Sequence, residues 1–566
     1  MIRLIPAVKE LERLEGTLEK RAIFFDPTKL TPRLCKAFQK HFTVAPGGVC
    51  LSVTVAKGEG EGYELTVTPD AICVSAESEQ AAFFALQTLR QLFTHDEIPC
   101  VKIKDRPDFK YRGFYHDVTR GKVPTTKTLK KMIDVMAYYK MNALQLYVEH
   151  VFEFKECAAL NPKTSYLSAA ELHELDAYCY ENFIDFQPSL STFGHMFELL
   201  DLEENRHLRV LKDYENDVCR WDDRMHHHTI DPSQEESLAL VSSLIDQYEP
   251  HFSSKFFNIC CDETFDLKNS FPHEVVGKLY IDFVKKIIAH VQGKGKTVMM
   301  WADILLQHPE YITELPEDTV FLNWSYRADP PEENVAAFAK LGKGQIVCPG
   351  TTSWSRFCER VEREEANIIT LADYGYKYGA VGMLNTNWGD WGNPASIDSS
   401  LYGLVLGAAK SWAIDTKPCE EFYADVNALL YENPNAMSYL RAMSDAHIEV
   451  RWNRVMRTAY NHRNGMEYEI PLSREAVEAA QKLFVELSPV IAAEDWQCGD
   501  FKQEFLLSLE GICVLAEMGA RLSGYEIERV TNTEDFLTRY RAKWTEKNKE
   551  SELSRIEDIF RYCDGI

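Results

Sequence analysis

From about residue 106 to residue 413 the chain alternates short apolar runs with amphipathic stretches at helical spacing. No other feature constrains the fold as much. The strand-like runs are Tyr111 to Val118, Ala143 to Val148, Asp185 to Leu190, Phe256 to Cys261, Thr297 to Ala302, Val320 to Trp324, Gln345 to Pro349 and Ala380 to Asn385. Helical patterns fill most of the gaps, at Thr126 to Tyr139, Ala169 to Glu181, Gln234 to Gln247, Glu274 to Gln292 and Val361 to Tyr378. Leu401 to Trp412 closes the series. Parallel neighbours need helical crossovers between them, so this pattern predicts an α/β fold built on a (β/α)8 barrel.

The flanks read differently. Leu51 to Val55, Tyr63 to Val67 and Ala71 to Val74 are strand-like, and Phe83, Leu86, Leu89 and Leu92 mark a helix. Residues 1–105 are therefore expected to form a small α/β domain, 106–413 the barrel and 414–566 an α-helical domain. The last region has helical patterns at Glu420 to Tyr431, Ser438 to Ala459, Ser473 to Ala492, Phe501 to Ser523 and Thr533 to Lys547. The charge run Lys547 to Glu552 reads as a solvated helix face. The connection Phe193 to Ser233 is long, as functional loops tend to be.

Composition narrows the partners. The chain of 566 residues is 45% apolar with a net charge of −25, which repels nucleic acid and anionic membrane surfaces but not a neutral sugar. Fifteen cysteines without a CxxC pair fit reduced thiols and a cytoplasmic setting. Lys9, Glu10, Glu12 and Arg13 interrupt any signal-peptide core, and no window of 18 apolar residues predicts a membrane span. The helical C-terminal region offers a surface for a second copy, making a homodimer an expectation.

Active sites of such barrels lie at the C-terminal ends of the strands. There the sequence places Arg112, His116 and Asp117, then Glu149, His195, Asp262-Glu263, Trp301 and Asp303, Trp324 and Tyr326, Trp354, and Trp388 with Asp390. Carboxylates bind sugar hydroxyls and indoles stack on the C–H faces of a pyranose, so this rim suits a carbohydrate. Ordinary core packing accounts for any single tryptophan, and less readily for four. Two adjacent carboxylates at a crowded strand end repel each other, which raises one pKa toward neutrality. His195 is either a rim ligand or a packed loop histidine. The run His226-His-His228 lacks helical zinc spacing, and no metal or cofactor is expected.

At these residues the chain resembles glycoside hydrolase family 20, the β-N-acetylhexosaminidases, in a divergent bacterial-type form. The resemblance rests on Ala82 to Leu92, Tyr111-Arg-Gly113 with Asp117 and Arg120, Lys140-Met-Asn142, Gly194-His195, Asp262-Glu263, Trp301, Trp324 and Trp388-Gly-Asp390. It implies Glu263 as general acid/base and Asp262 as the carboxylate that holds the substrate's 2-acetamido group. It further implies Arg112 on the 3- and 4-hydroxyls, Trp301, Trp324 and Trp388 around the sugar, and Asp390 on its outer hydroxyls. Glu149, His195 and Trp354 complete the substrate-binding candidates, with Tyr326 in place of the usual acetamide-binding tyrosine, whose own position carries Ser355. The implied activity is exo-acting, retaining removal of terminal N-acetylglucosamine or N-acetylgalactosamine, with the acetamide as nucleophile. Two alternatives stand beside it: a conventional retaining glycosidase with a protein nucleophile such as Glu149, and a catalytically silent sugar-binding protein.

Overall fold

The structure, a computed structural model, describes residues 2–19, 22–160, 165–212, 221, 224–225, 227–446 and 448–565. The N-terminal part is a six-stranded sheet of β1 (Glu10–Leu18), β2 (Ile23–Phe24), β3 (Val49–Val55), β4 (Tyr63–Val67), β5 (Ala71–Ala76) and β6 (Ile98–Asp105), in the order β1-β6-β4-β5-β3-β2. The helix Glu79–Leu92 starts at Ser78, whose side chain accepts the Ala81 N–H, and buries all but Glu79, Gln80 and Arg90. A helix apolar on nearly every face must be covered on nearly every face. Its Phe84 packs edge-on against Trp412 from the last barrel helix.

The barrel is closed and parallel: β7 (Tyr111–Asp117), β8 (Ala143–Val148), β9 (Asp185–Leu190), β10 (Phe256–Asn258), β11 (Thr297–Trp301), β12 (Val320–Trp324), β13 (Gln345–Cys348) and β14 (Gly382–Asn387), with β14 pairing back onto β7. Its interior holds Tyr111, Tyr115, Tyr147, Met299, Trp301 and Leu322. Beneath the site runs a bonded polar layer. Gln145 donates to Gln187 at 2.8 Å, Asn258 donates to Gln145 at 2.9 Å, and the Tyr111 hydroxyl donates to Gln187 at 2.9 Å. Each of these buried groups has a partner, so the layer fixes the floor without an uncompensated polar atom.

Period-two alternation decides the fate of Arg112. Tyr111 and Tyr115 point into the barrel, so Arg112 between them points out. Its guanidinium pairs with Glu61 of the N-terminal sheet region at 2.7 and 3.1 Å, donates to the carbonyls of Phe109 and Lys140, and lies over the rings of Phe84 and Trp412. Arg112 ties the N-terminal sheet to the foot of the barrel.

The C-terminal region is helical, but the predicted helix Ser438 to Ala459 is two, Ala436–Ala446 and Trp452–Arg463. The chain turns there to place the Trp452 N–H on the Ser355 carbonyl of a barrel loop. The run Lys547 to Glu552 is likewise no solvated helix face. Lys547 is buried among Asp398, Asp500 and Glu504. The Lys549 N–H bonds the Val123 carbonyl and the Glu552 N–H the Gly121 carbonyl, so the run lies as a strap along the loop after β7. Among the described residues no helix is long and apolar enough to cross a membrane.

Candidate active site

The strand that carries the central acids ends three residues earlier than its apolarity suggests. β10 stops at Asn258, and Cys260, Cys261 and Glu263 adopt left-handed backbone, with φ of 56°, 66° and 49°. Such a conformation costs a residue with a Cβ roughly 1–2 kcal/mol, and the surroundings hold it in place. The Cys260 N–H donates to the Asn258 side chain, the Trp301 N–H to the Cys260 carbonyl, the Tyr280 hydroxyl to the Cys261 carbonyl, and the Glu263 N–H to Asp303 Oδ2 at 3.0 Å. The bend has a chemical result. Adjacent side chains on a strand face opposite ways, whereas here Asp262 and Glu263 converge on one histidine.

That histidine is His195. Its Nε2 lies 3.4 Å from Asp262 Oδ2 and 3.3 Å from Glu263 Oε2. Burial opposes charge on its ring, but the Asp262 carboxylate and the hydrogen bonds to both acids outweigh it, and the pKa stands well above the ordinary 6.5. The ring stacks on His228 at 4.4 Å, and the His195 N–H donates to His228 Nδ1 at 2.6 Å. Gly194 is required just before it, because a Cβ there would lie 2.4 Å from the Asp262 carbonyl oxygen. The other oxygen of Asp262, Oδ1, is buried with no hydrogen-bond partner among the described residues. An acceptor held in that state is ready for an incoming N–H.

The acid forced upward is Asp303. Burial, then the charges of Asp262 and Glu263, push it to about 8. Glu149, after β8, accepts the Tyr147 hydroxyl at 2.8 Å. Burial raises it to about 7, against the pull of Arg120, His195 and Arg224.

Arg120, unlike Arg112, lies in the barrel mouth. It reaches Asp117 at 2.7 Å and Asp390 at 2.8 Å, and lies over the rings of Tyr147 and Trp388. Asp117 also accepts the N–H groups of Thr119, Arg120 and Gly389, which stitches the loops after β7 and β14 together. Asp390 is raised by burial, with Arg120 opposing, and feels the charges of Glu263 and His195.

Aromatic rings wall the hollow. Trp301 lies 5.7 Å from Trp388, and the Trp388 Nε1–H donates to the Tyr326 hydroxyl at 2.6 Å. Tyr326 stacks on Trp324 at 5.1 Å and meets Trp354 edge-on at 5.1 Å. The structure thus gathers Glu149, His195, Asp262, Glu263, Trp301, Trp324, Tyr326, Trp354, Trp388 and Asp390 at one end of the barrel. Arg112 is the exception: it sits at the opposite end of β7, facing outward, and cannot reach a sugar there. Ser355 gives its backbone to Trp452 at the barrel edge.

Sequence reasoning left Asp303, Tyr147 and Arg224 unassigned. Asp303 follows Trp301 by two residues, so strand-end parity pointed to it. Arg224 comes from the long loop and pairs with Glu198 and with Glu552 of the C-terminal strap, a link no local pattern announces. His195, Asp262 and Glu263 have ligand atoms within 4.8 Å of one another, a spacing that a cation would also fit. His226 lies outside the described residues. His228 is occupied with His195, and its own N–H donates to Asp266.

Comparison with known proteins agrees with this geometry. The family profile "Glycosyl hydrolase family 20, catalytic domain" matches residues 109–390, and "Glycosyl hydrolase family 20, domain 2" matches residues 1–106. A β-hexosaminidase of Akkermansia muciniphila is 32% identical over 160 residues, 24% of this chain and 32% of that protein. Hexosaminidase D of Bos taurus is 26% identical over 225 residues, 37% of this chain and 61% of the relative. The matches thus span between a third and three fifths of those two relatives. Among solved structures, a chitobiase of Flavobacterium johnsoniae superposes with a TM-score of 0.61 at 16% identity, over 98% of this chain and 99% of that one. A β-N-acetylhexosaminidase of Bacteroides fragilis does so at 0.60 and 19%, over 76% and 94%. At such identities the superpositions speak for the fold, and the sequence profiles for kinship. The chain belongs to glycosyl hydrolase family 20.

Proposed function

We propose that the protein is an exo-acting, retaining β-N-acetylhexosaminidase working by substrate assistance. The observation that carries this reading is the buried, unpartnered Oδ1 of Asp262, next to Glu263 and inside an aromatic wall. The 2-acetamido N–H of a terminal sugar donates to Asp262, which turns the acetamide oxygen toward the anomeric carbon and balances the positive charge of the oxazolinium that forms. The attack is intramolecular, so it gains from proximity and asks for no protein nucleophile. Glu263 gives a proton to the departing oxygen, then takes one from the water that opens the oxazolinium. His195, charged, keeps both acids in place. Tyr326, Trp301 and Trp388 exclude water from the acetyl group, and Asp390 with Arg120 takes the outer hydroxyls.

A conventional mechanism with Glu149 as nucleophile fits less well. A carboxyl held at about 7 is half protonated at neutral pH and already accepts the Tyr147 hydroxyl. The test is hydrolysis of an aryl β-N-acetylglucosaminide by wild type, Glu263→Gln and Asp262→Asn. Both variants are expected to lose about a hundredfold or more in kcat. Equal turnover of an aryl glucoside lacking the acetamide would overturn substrate assistance. The same reading assigns a reducing, cytoplasmic setting, supported by the odd cysteine count, and a homodimer, supported by Ile470, Val485 and Val490 exposed on the C-terminal region.

A further inference from the structure

Of the run His226-His-His228, the last ring lies beside the acid pair. His228 is fully buried. Its ring lies flat against that of His195, with centroids 4.4 Å and planes 7° apart. The Nδ1 of the same ring accepts the backbone N–H of His195 at 2.6 Å. One side chain thus holds both the backbone and the ring of the residue that faces Asp262 and Glu263.

His195 needs that hold. Its backbone is left-handed, with φ of 57°, a conformation that costs a residue with a Cβ and persists where the surroundings fix it. His228 is anchored in turn. Its carbonyl accepts the Met196 N–H at 2.9 Å, and the Phe193 carbonyl accepts the Ile230 N–H at 3.1 Å, so the two loops run as a bonded pair. The His228 and Thr229 N–H groups both donate to Asp266 Oδ2, at 2.9 Å each. Asp266 opens the short helix Asp266–Ser270, three residues after Glu263. A closed circuit results. It runs from Glu263 along the chain to Asp266, then to His228, then to His195, whose Nε2 returns to Glu263 Oε2 at 3.3 Å. Displacing His228 reaches Glu263 by two routes, through the imidazole it faces and through the chain that carries it.

The same bond fixes charge. A ring nitrogen that accepts an N–H offers its lone pair and carries no proton, so the proton of His228 is on Nε2 and the ring is neutral. A neutral π face attracts a charged ring, whereas two charged rings 4.4 Å apart would repel. The pair therefore keeps its one positive charge on His195, beside the two carboxylates.

We propose that His228 is a positioning residue for the reaction: its Nδ1 and its neutral ring fix the backbone, plane and charge of His195, and through it the spacing of Asp262 and Glu263. The inference rests on the glycosidase reading. Three variants separate the two contacts. In His228→Asn the amide oxygen stands where Nδ1 stood and keeps the bond to the His195 N–H without the ring. His228→Phe keeps a ring and leaves that buried N–H unpaired. His228→Ala removes both. On an aryl β-N-acetylglucosaminide, at matched folded fraction, kcat should fall about a hundredfold in the alanine variant. It should fall about tenfold in each of the others, which retain one contact, while KM stays within about threefold. Equal losses in all three variants, a loss carried by KM, or a kcat unchanged in both the asparagine and phenylalanine variants overturns the proposal. The last comparison decides it even where the alanine variant does not fold.

A second measurement needs no turnover. With 15N-labelled histidine in the whole chain at pH 6, His195 should show protons on both ring nitrogens and His228 on Nε2 alone. The two signals are identified by their loss in His195→Gln and His228→Asn. A doubly protonated His228 refutes the charge assignment and the proposal with it. The expected ring states in a protein that hydrolyses no aryl N-acetylhexosaminide would refute the glycosidase reading and leave the histidine pair standing.

Discussion

Replacing Asp303 by asparagine separates the electrostatic part of the site from its hydrogen bonding. In the folded protein this carboxyl is pushed from 3.8 to about 8 by burial and by Asp262 and Glu263. At pH 7 it is therefore roughly nine-tenths protonated, and asparagine resembles that form in shape and charge. Between pH 4 and 8 the folded protein holds a proton that the unfolded chain has released. Stability from this group is thus lost as pH rises through the window, by up to about 1.4 kcal/mol per pH unit. Asp303→Asn has no such proton to lose, while the neighbouring groups titrate in both proteins. The stability difference, variant minus wild type, should grow by about 2–3 kcal/mol from pH 5 to pH 7. Urea denaturation at pH 5, 6 and 7 measures it. The asparagine carbonyl can still accept the Glu263 N–H, so activity at pH 7 should stay within about tenfold of wild type, whereas Asp303→Ala strands that N–H at a cost of about 1–3 kcal/mol. A difference that does not change with pH, or that shrinks as pH rises, would refute the charge assignment.

Two further substitutions probe placement. Arg112→Met should lower unfolding stability by about 3 kcal/mol, because it leaves Glu61 without its cation at a covered junction. KM for an aryl substrate should change by less than about twofold, and a large rise in KM would return Arg112 to the sugar. Gly194→Ala puts a methyl 2.4 Å from the Asp262 carbonyl oxygen and should cut kcat by about a hundredfold through displacement of the acid pair. Steady-state kinetics at matched folded fraction decides the point.

How legible the molecule was depends on where each residue's partners lie. β8, β9 and β12 match the sequence reading to the residue. β8 and β12 are short apolar runs broken by one amide each, as strands buried on both faces tend to be. β9, Asp185-Phe-Gln-Pro-Ser-Leu190, is more polar and pairs with β8 along its whole length. β10 was read three residues too long because Ile259, Cys260 and Cys261 are apolar enough for a strand. The left-handed turn that follows is held by the neighbouring Asn258 side chain and, from farther along the chain, by Tyr280 and Asp303. β1 was missed because eight of its nine residues are at least partly exposed and it carries four charges, the signature of a protected edge rather than a core. The acid pair and the tryptophans could be placed from strand ends alone. Arg112 could not, because a motif fixes position along a strand but only parity fixes the face.

The strap from Lys547 to Glu552 bears on how this protein can be dissected. Many barrels can be cut free and studied alone. Here an excised segment ending at residue 413 would strip Thr125 and Thr128 of the Lys547 carbonyl they share, free the Trp221 indole from Glu552, and lose the ring of Trp544 above Lys122. A dead fragment of that kind would report a dismantled mouth rather than faulty chemistry, so expression trials and variant screens belong on the whole chain.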